Sequence, residues 1–307
     1  MSHTILVTGG AGFVGTNLII RLLKEGHVVY SLDNYSTGYK NNEQDGCHYI
    51  NGDICEIDKY FTKNNTNETN DLPKLTHIFH LAALARIQPS FKHPTEVFET
   101  NVRGTQMVLE FARKNGIKVI YSGSSSRWHN PENSPYAMSK YLGEQLCKLY
   151  KISFQMPIQI ARFYNVYGRH EITDGEYATV IGIWRKQLYN GEPLTIIGDG
   201  EQRRDVTHID DIVDGLYIIM QTEIYHEDAW ELGTGKNYSI NEIFEMFRER
   251  YDAKRCNIAD KPHNYRETIR YNDDSVTVLG WDPKDQLLSY IQTCQDGIDK
   301  KKQLTTK

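Results

Sequence analysis

Cysteine is scarce in this 307-residue chain, with five residues far apart: Cys47, Cys55, Cys147, Cys256 and Cys294. An odd number without C-x-x-C spacing argues against a disulfide framework or a zinc module, and no metal site is expected. Reduced thiols in a cytoplasmic protein are the expectation. Also lacking is an apolar run of the roughly 20 residues needed to span a bilayer. The segment "TILVTGGAGFVG" is apolar, but it has no basic stretch before it and is rich in glycine. It reads as a strand and turn rather than a leader. In a chain that is not secreted, the N-x-S/T matches at Asn64, Asn67 and Asn237 carry no glycan. Nor is there an excess of positive charge. The formal net charge is -5 with signs interspersed, which excludes a nucleic-acid footprint or a polybasic membrane patch. Internal repeats and low-complexity tracts are absent too.

What is present is ordinary globular composition, 39% hydrophobic and 24% charged, enough for one large domain or two lobes. "TILVT" is a short β-branched run that stops at Gly9 and Gly10. "FVGTNLIIRLLKEG" has helical spacing and ends at Gly26, a C-cap signal. "VVYSLDN", "HYINGDI", "HIFHLAA" and "VIYSGSS" continue the strands, with helical patterns between most of them, notably "VFETNVRGTQMVLEFARKNG". Strands alternating with helices predict an α/β fold with a parallel sheet covered on both faces. "TKNNTNETNDLPK", residues 62–74, reads as a surface loop. After "IQIARFYNVYG" the strands become short and isolated ("LTIIG", "AWELG"), which predicts a second, smaller lobe. The expected division is 1–165, with a return segment near 205–222, against 166–204 and 223–307.

Gly9, Gly12 and Gly15 stand between the first strand and the first helix. Glycine there permits a tight turn and close approach of backbone N–H groups to a pyrophosphate at the positive end of the helix. Asp33 ends the second strand, where a carboxylate suits a ribose 2′-hydroxyl and repels a 2′-phosphate. Asn34 and Tyr35 are not basic, so NAD is favoured over NADP. Asp53, in "NGDI", is either a capping residue or a partner of the adenine amine, with Ile54 against the ring. In "SPYAMSK", Tyr136 and Lys140 lie one helical turn apart on one face. An unperturbed tyrosine, with a pKa near 10, is a poor base. Lys140 and a cationic nicotinamide would stabilise its phenolate.

Together, "TGGAGFVG", "DNYSTG", "NGDI", "HLAA", "NVRGT", "SSS", "YAMSK", "RFYNVYG", "GDGEQRRDVTHIDDIV" and "LGW" resemble the extended short-chain dehydrogenase/reductases that act on nucleotide sugars, and most of all the UDP-sugar 4-epimerases. The resemblance implies a Rossmann-type doubly wound parallel sheet of seven strands with a smaller C-terminal α/β substrate lobe. It also implies a homodimer through helices near 95–115 and 136–152. It assigns Gly9, Gly12, Phe13, Val14 and Gly15 to the pyrophosphate, and Asp33, Asn34, Ser36 and Gly38 to the adenosine ribose. Asp53 and Ile54 go to adenine, Leu81, Ala82 and Ala83 beneath NAD, and Asn101 nearby. Lys140 also takes the nicotinamide ribose. Tyr164 packs either near the nicotinamide amide or in the core.

For chemistry the resemblance implies Tyr136 as base and Ser124 as the hydroxyl on the reacting sugar oxygen, with Ser125 the alternative and Ser126 a turn residue. The family's dehydratases carry Asp-Glu where this chain has Ser125 and Ser126, which argues against 4,6-dehydration. Asn165 and Arg204 match residues that hold the UDP diphosphate, with Arg266 or Arg270 as a second guanidinium and Arg203 a solvated charge. The segment from Ser124 to Tyr136 is shorter than the family's. Trp128 within it either stacks on a sugar or fills the gap, and His129 is a loop residue. Arg86 is either a handle for an acidic or acetamido group or an exposed helix start. The expected reaction is C4 inversion of a UDP-hexose. The rivals are a UDP-glucuronate decarboxylase or epimerase, a 4,6-dehydratase, a reductase, or a dinucleotide sensor without catalysis.

Overall fold

The computed structural model describes residues 2–61 and 74–294. The loop expected at 62–74 lies, except for Lys74, outside the described residues. The chain forms two compact units, residues 1–162 with 213–230, and residues 163–212 with 231–307.

The first unit is built on six strands: β1 (Thr4–Thr8), β2 (Val28–Asp33), β3 (Cys47–Asn51), β4 (His77–His80), β5 (Lys118–Ser124) and β6 (Ile158–Phe163). A seventh, Trp230–Leu232, lies beside β6, and the order from that edge is seventh, β6, β5, β4, β1, β2, β3. β1 pairs in parallel with both β2 and β4. The strand order therefore reverses at β1, the place where open α/β sheets bind ligands beyond the carboxyl ends of their strands. "AWELG" corrects an expectation: it joins the main sheet rather than standing alone in the second lobe. All three strand residues are buried, as a parallel sheet covered on both faces requires.

Helix α1 (Phe13–Lys24) buries Leu18, Ile19 and Leu22, and the chain turns after it at Gly26, whose φ of 79° favours glycine. The core of this unit joins Leu6, Ile78, Val119 and Ile158 of the strands to Val108, Leu109 and Ala112. The long helix expected from "VFETNVRGTQMVLEFARKNG" is broken into Pro94–Phe98, a π-helical turn Glu99–Arg103, and Gly104–Asn115. Such wide turns gather at functional sites, and this one carries Asn101.

The second unit has its own core of Trp184, Leu194, Ile196, Ile243, Phe244 and Phe247. Its helix Ile240–Tyr251 starts at a reciprocal Ser239–Glu242 cap. A three-stranded sheet places Arg203–Asp205 between Asn237–Ser239 and Glu267–Thr268. Among the described residues no helix is long and apolar enough to cross a membrane, and no group of three or more His, Cys, Asp or Glu could hold a metal.

Candidate active site

Sterics shape the glycine loop. A Cβ on Gly15 would stand 2.1 Å from the Gly9 carbonyl oxygen, and one on Gly9 2.9 Å from the Ala82 backbone. Gly9 also has φ 72°. Gly12 is the N-cap of α1 and brings no side chain to its first-turn amides, and no acid occupies that turn. Those N–H groups, with Phe13 and Val14 half-buried behind them, are left for an anion at the positive helix end. Asp33 is buried at the end of β2, and its carboxylate accepts from the Ala11 amide at 2.9 Å and the Tyr35 amide at 2.8 Å. Burial pushes this carboxyl up, and the two amides oppose it. The Asn34 side chain accepts from the Ser36 amide, and Gly38 passes so close to Ala11 that a Cβ there would meet backbone at 2.9 Å. A side-chain-free cradle, an uncapped helix start and a carboxylate at the strand end fit a dinucleotide with an unphosphorylated ribose.

Asp53 is exposed, and one of its oxygens caps the next turn by accepting from the Cys55 amide at 2.8 Å. Ile54 is buried against Gly104. Leu81 and Ala82 donate their amides to the Thr8 carbonyl and hydroxyl, which places the half-buried 81–83 segment beside Gly9. Asn101, 1% exposed, grips both the N–H and the C=O of Leu84 and donates to Ser139. Its amide thus pins the segment leading to Arg86. Arg86 has φ 112°, a conformation that costs a non-glycine residue about 1–3 kcal/mol and points to functional constraint.

"SPYAMSK" opens helix Pro135–Ser153. Ser134 caps it by accepting from Ala137, and Pro135 takes the first turn. The Tyr136 hydroxyl donates to Ser124 Oγ over 3.4 Å. Ser124 Oγ also receives the Ser126 amide at 3.2 Å and the Ser126 hydroxyl at 2.9 Å. Ser125 is half-buried and carries no comparable contact to Tyr136. Burial pushes the Tyr136 phenol up, opposed by the Ser124 hydrogen bond and by the charge of Arg86. Lys140 donates to the Ser122 carbonyl, its Nζ lies 4.5 Å from the centre of the Tyr121 ring, and burial pushes it down to about 8, against the charge of Glu144. The i, i+4 spacing sets the face of the helix, but the end of β5 captures the amine.

Sequence reasoning missed two supports of this cluster. His80 is 1% exposed and bridges the Thr8 and Thr105 hydroxyls at 2.8 and 3.0 Å. Arg162, fully buried, holds Glu144 at 2.8 Å and Asp228 at 2.7 Å. Its guanidinium also lies 5.1 Å from the Trp128 ring. Trp128 therefore rests on the scaffold of this unit, and Arg127 lies on both the Trp128 and Tyr141 rings.

In the second unit, Arg204 is half-buried and donates to the Arg203 carbonyl and to Asn264 Oδ1 at 2.7 Å. Burial and the neighbouring charge of Arg266 push it down to about 10. Two neighbouring guanidinium groups, one of them half-buried without a carboxylate contact among the described residues, invite an anion. Arg266 is exposed and holds Asp199 with both contacts at 3.0 Å. Arg270 donates to the Gly233 carbonyl and to Asp273. Arg203 is bonded to Asn237 and Glu242 rather than merely solvated. The Asn165 amide gives its two protons to the Asp205 carbonyl and Thr268 Oγ1, at 2.8 and 2.9 Å, which leaves its oxygen for a ligand. Tyr164 is fully buried, packs on Gly233 and donates to Glu231, which agrees with the core placement of the two the sequence left open.

A sheet reversing at β1, a glycine cradle, an acid after β2 and a Ser–Tyr–Lys cluster define a dinucleotide-dependent enzyme of the short-chain type. The chain belongs to the NAD dependent epimerase/dehydratase family, whose model matches residues 5–233. It is 31% identical over 303 residues to a Methanocaldococcus jannaschii protein named "Putative UDP-glucose 4-epimerase", covering 94% of this chain and 96% of that one. It is 30% identical to UDP-glucuronic acid decarboxylase 4 of Arabidopsis thaliana, over 91% of this chain but only 65% of that longer protein. Among solved structures it is similar to the UDP-glucose 4-epimerase of Thermotoga maritima with UDP-glucose, at a TM-score of 0.87 and 27% identity over 97% and 99% of the two chains. It is also similar to the UDP-glucuronic acid 4-epimerase of Bacillus cereus with UDP-glucuronic acid and NAD, at 0.85 and 26% over 97% and 99%.

Proposed function

We propose that the chain inverts C4 of a UDP-hexose, UDP-glucose/UDP-galactose or their N-acetyl forms, through a transient 4-keto sugar. The observation that carries this reading is the Tyr136–Ser124 pair beside the dinucleotide cradle, with only serines at 125 and 126. NAD, when bound, supplies a reversible hydride acceptor. Tyr136, ionised, takes the proton of the sugar 4-hydroxyl, and Ser124 hydrogen-bonds the same oxygen. After the keto sugar has turned, Tyr136 returns its proton to the 4-oxygen on the opposite face. Lys140 is the group for the nicotinamide ribose, and Asp33 for the adenosine ribose. Arg204, with Arg266, receives the diphosphate. Ser125 and Ser126 offer neither the acid nor the base that 4,6-elimination requires. The free thiols agree with a cytoplasmic setting. Exposed Leu149 and Ile152 on helix Pro135–Ser153 suit a homodimer, which light scattering would detect.

The test is incubation with a panel of UDP, GDP, CDP and dTDP sugars without added reductant, read by NMR for inversion at C4. Inactivity on every sugar would defeat the proposal. Tyr136→Phe should abolish turnover with NAD binding retained. A second reading is favoured by Arg86, whose charge reaches Tyr136 from a strained backbone: a uronic acid as the sugar. UDP-glucuronate consumed in preference to UDP-glucose would select it, and release of CO2 would mark decarboxylation rather than epimerisation.

A further inference from the structure

By sequence Ser126 is a turn residue. In the structure it is 4% exposed, and both its donors, amide and hydroxyl, converge on Ser124 Oγ. We propose that Ser126 is a positioning residue that keeps Ser124 oriented as a hydrogen-bond donor, to ionised Tyr136 before sugar binds and to the sugar 4-oxygen once it is bound. A serine hydroxyl has one proton and two acceptor sites. While Tyr136 is a phenol, it competes with the Ser126 amide and hydroxyl for the two acceptor sites of Ser124, and its contact is the longest of the three at 3.4 Å. Once Tyr136 has lost its proton, that contact persists only with Ser124 donating. Ser126 then fills both acceptor sites of Ser124, and the three hydroxyls form a one-way chain, Ser126 to Ser124 to Tyr136. Each link of such a chain polarises the next inside a low-dielectric site. No proton passes along it, and Ser126 stays neutral throughout. The simpler role, closing the turn after Ser124, needs only the Ser126 amide. It leaves the buried hydroxyl without a purpose.

The inference rests on Tyr136 being the base, and its test does not depend on which sugar is inverted. Tyr136 ionisation is followed in the full chain loaded with NAD by absorbance at 295 nm, as the difference from Tyr136→Phe in each background. Ser126→Ala should move this titration upward by about 0.5–1 pH unit, the size of one hydrogen bond's effect. The acid limb of kcat/KM with whichever UDP-sugar turns over should move with it, with KM unchanged. Ser126→Thr, which keeps the hydroxyl, should restore both. In a Ser124→Ala background, Ser126→Ala should add no further shift. A titration that stays in place in Ser126→Ala overturns the proposal whatever happens to activity, and so does an undiminished shift in the Ser124→Ala background. Failure to invert any sugar would defeat the epimerase reading but leave the 295 nm titration decisive for Ser126.

Discussion

Acid should loosen the first unit at β4. Burial pushes His80 down to about 3, with a smaller contribution from the Lys140 charge. Burial and the charges of His3, Lys118 and His27 push His77 down to about 4. An unfolded histidine titrates near 6.5, so between that pH and the folded values the unfolded chain binds more protons. Stability from these groups is therefore complete above pH 6.5 and is lost as the pH falls toward 4 and 3. Between pH 7.5 and 4.5 the loss comes to roughly 2–3 kcal/mol for each histidine. Set against a typical total of about 5–15 kcal/mol, the pair is a major acid liability. His80→Gln supplies an amide donor and acceptor to Thr8 and Thr105 without a titrating ring. Urea unfolding followed by near-UV circular dichroism at both pH values is the assay. The wild type should lose roughly 2–3 kcal/mol more than His80→Gln across the interval, because carboxylates common to both cancel. Equal losses would refute a buried neutral imidazole at this position.

Gly15→Ala drives a Cβ to 2.1 Å from the Gly9 carbonyl, so the loop must shift. NAD affinity by calorimetry should fall at least about tenfold, the cost of one misplaced set of hydrogen bonds. Undiminished affinity would mean that the pyrophosphate lies elsewhere. Arg204→Gln should weaken UDP binding about 10- to 100-fold, as expected for one charge-assisted contact, and leave NAD binding unchanged. Equal UDP affinity in the two proteins would remove Arg204 from the anion site. Glu144→Gln removes a carboxylate partner of buried Arg162, and should lower unfolding free energy by about 3 kcal/mol. A melting temperature equal to that of the wild type would show that Glu144 does not neutralise Arg162.

The parts legible in the sequence are those for which one element suffices. The glycines, the start of α1 and Asp33 lie within a single strand–helix–strand unit, and backbone chemistry dictates their types in order. Ser134 and Pro135 announce the helix that carries Tyr136 and Lys140 for the same local reason. What escaped depends on which distant element arrives opposite. His80 has its partners at 8 and 105, and Glu144 meets Arg162 on another strand, so no local pattern marks either one. Tyr164 illustrates the ambiguity of an aromatic at a strand end, which reads alike whether it meets a ligand or Gly233. Lys140 shows how far periodicity reaches. It sets the amine on the face of Tyr136, yet whether an ammonium meets a phenolate or a carbonyl is decided by β5, which offers the Ser122 oxygen first. Arg86, fifty residues earlier and on a strained backbone whose approach is pinned through Asn101, adds a positive charge that opposes the effect of burial on Tyr136. Before cofactor binds, burial holds the Tyr136 phenol up, and Ser124 and Arg86 oppose it. If Arg86 also carries the choice of sugar, changing that choice must also change the base, and Arg86 variants should shift substrate preference and the acid limb of the pH profile together.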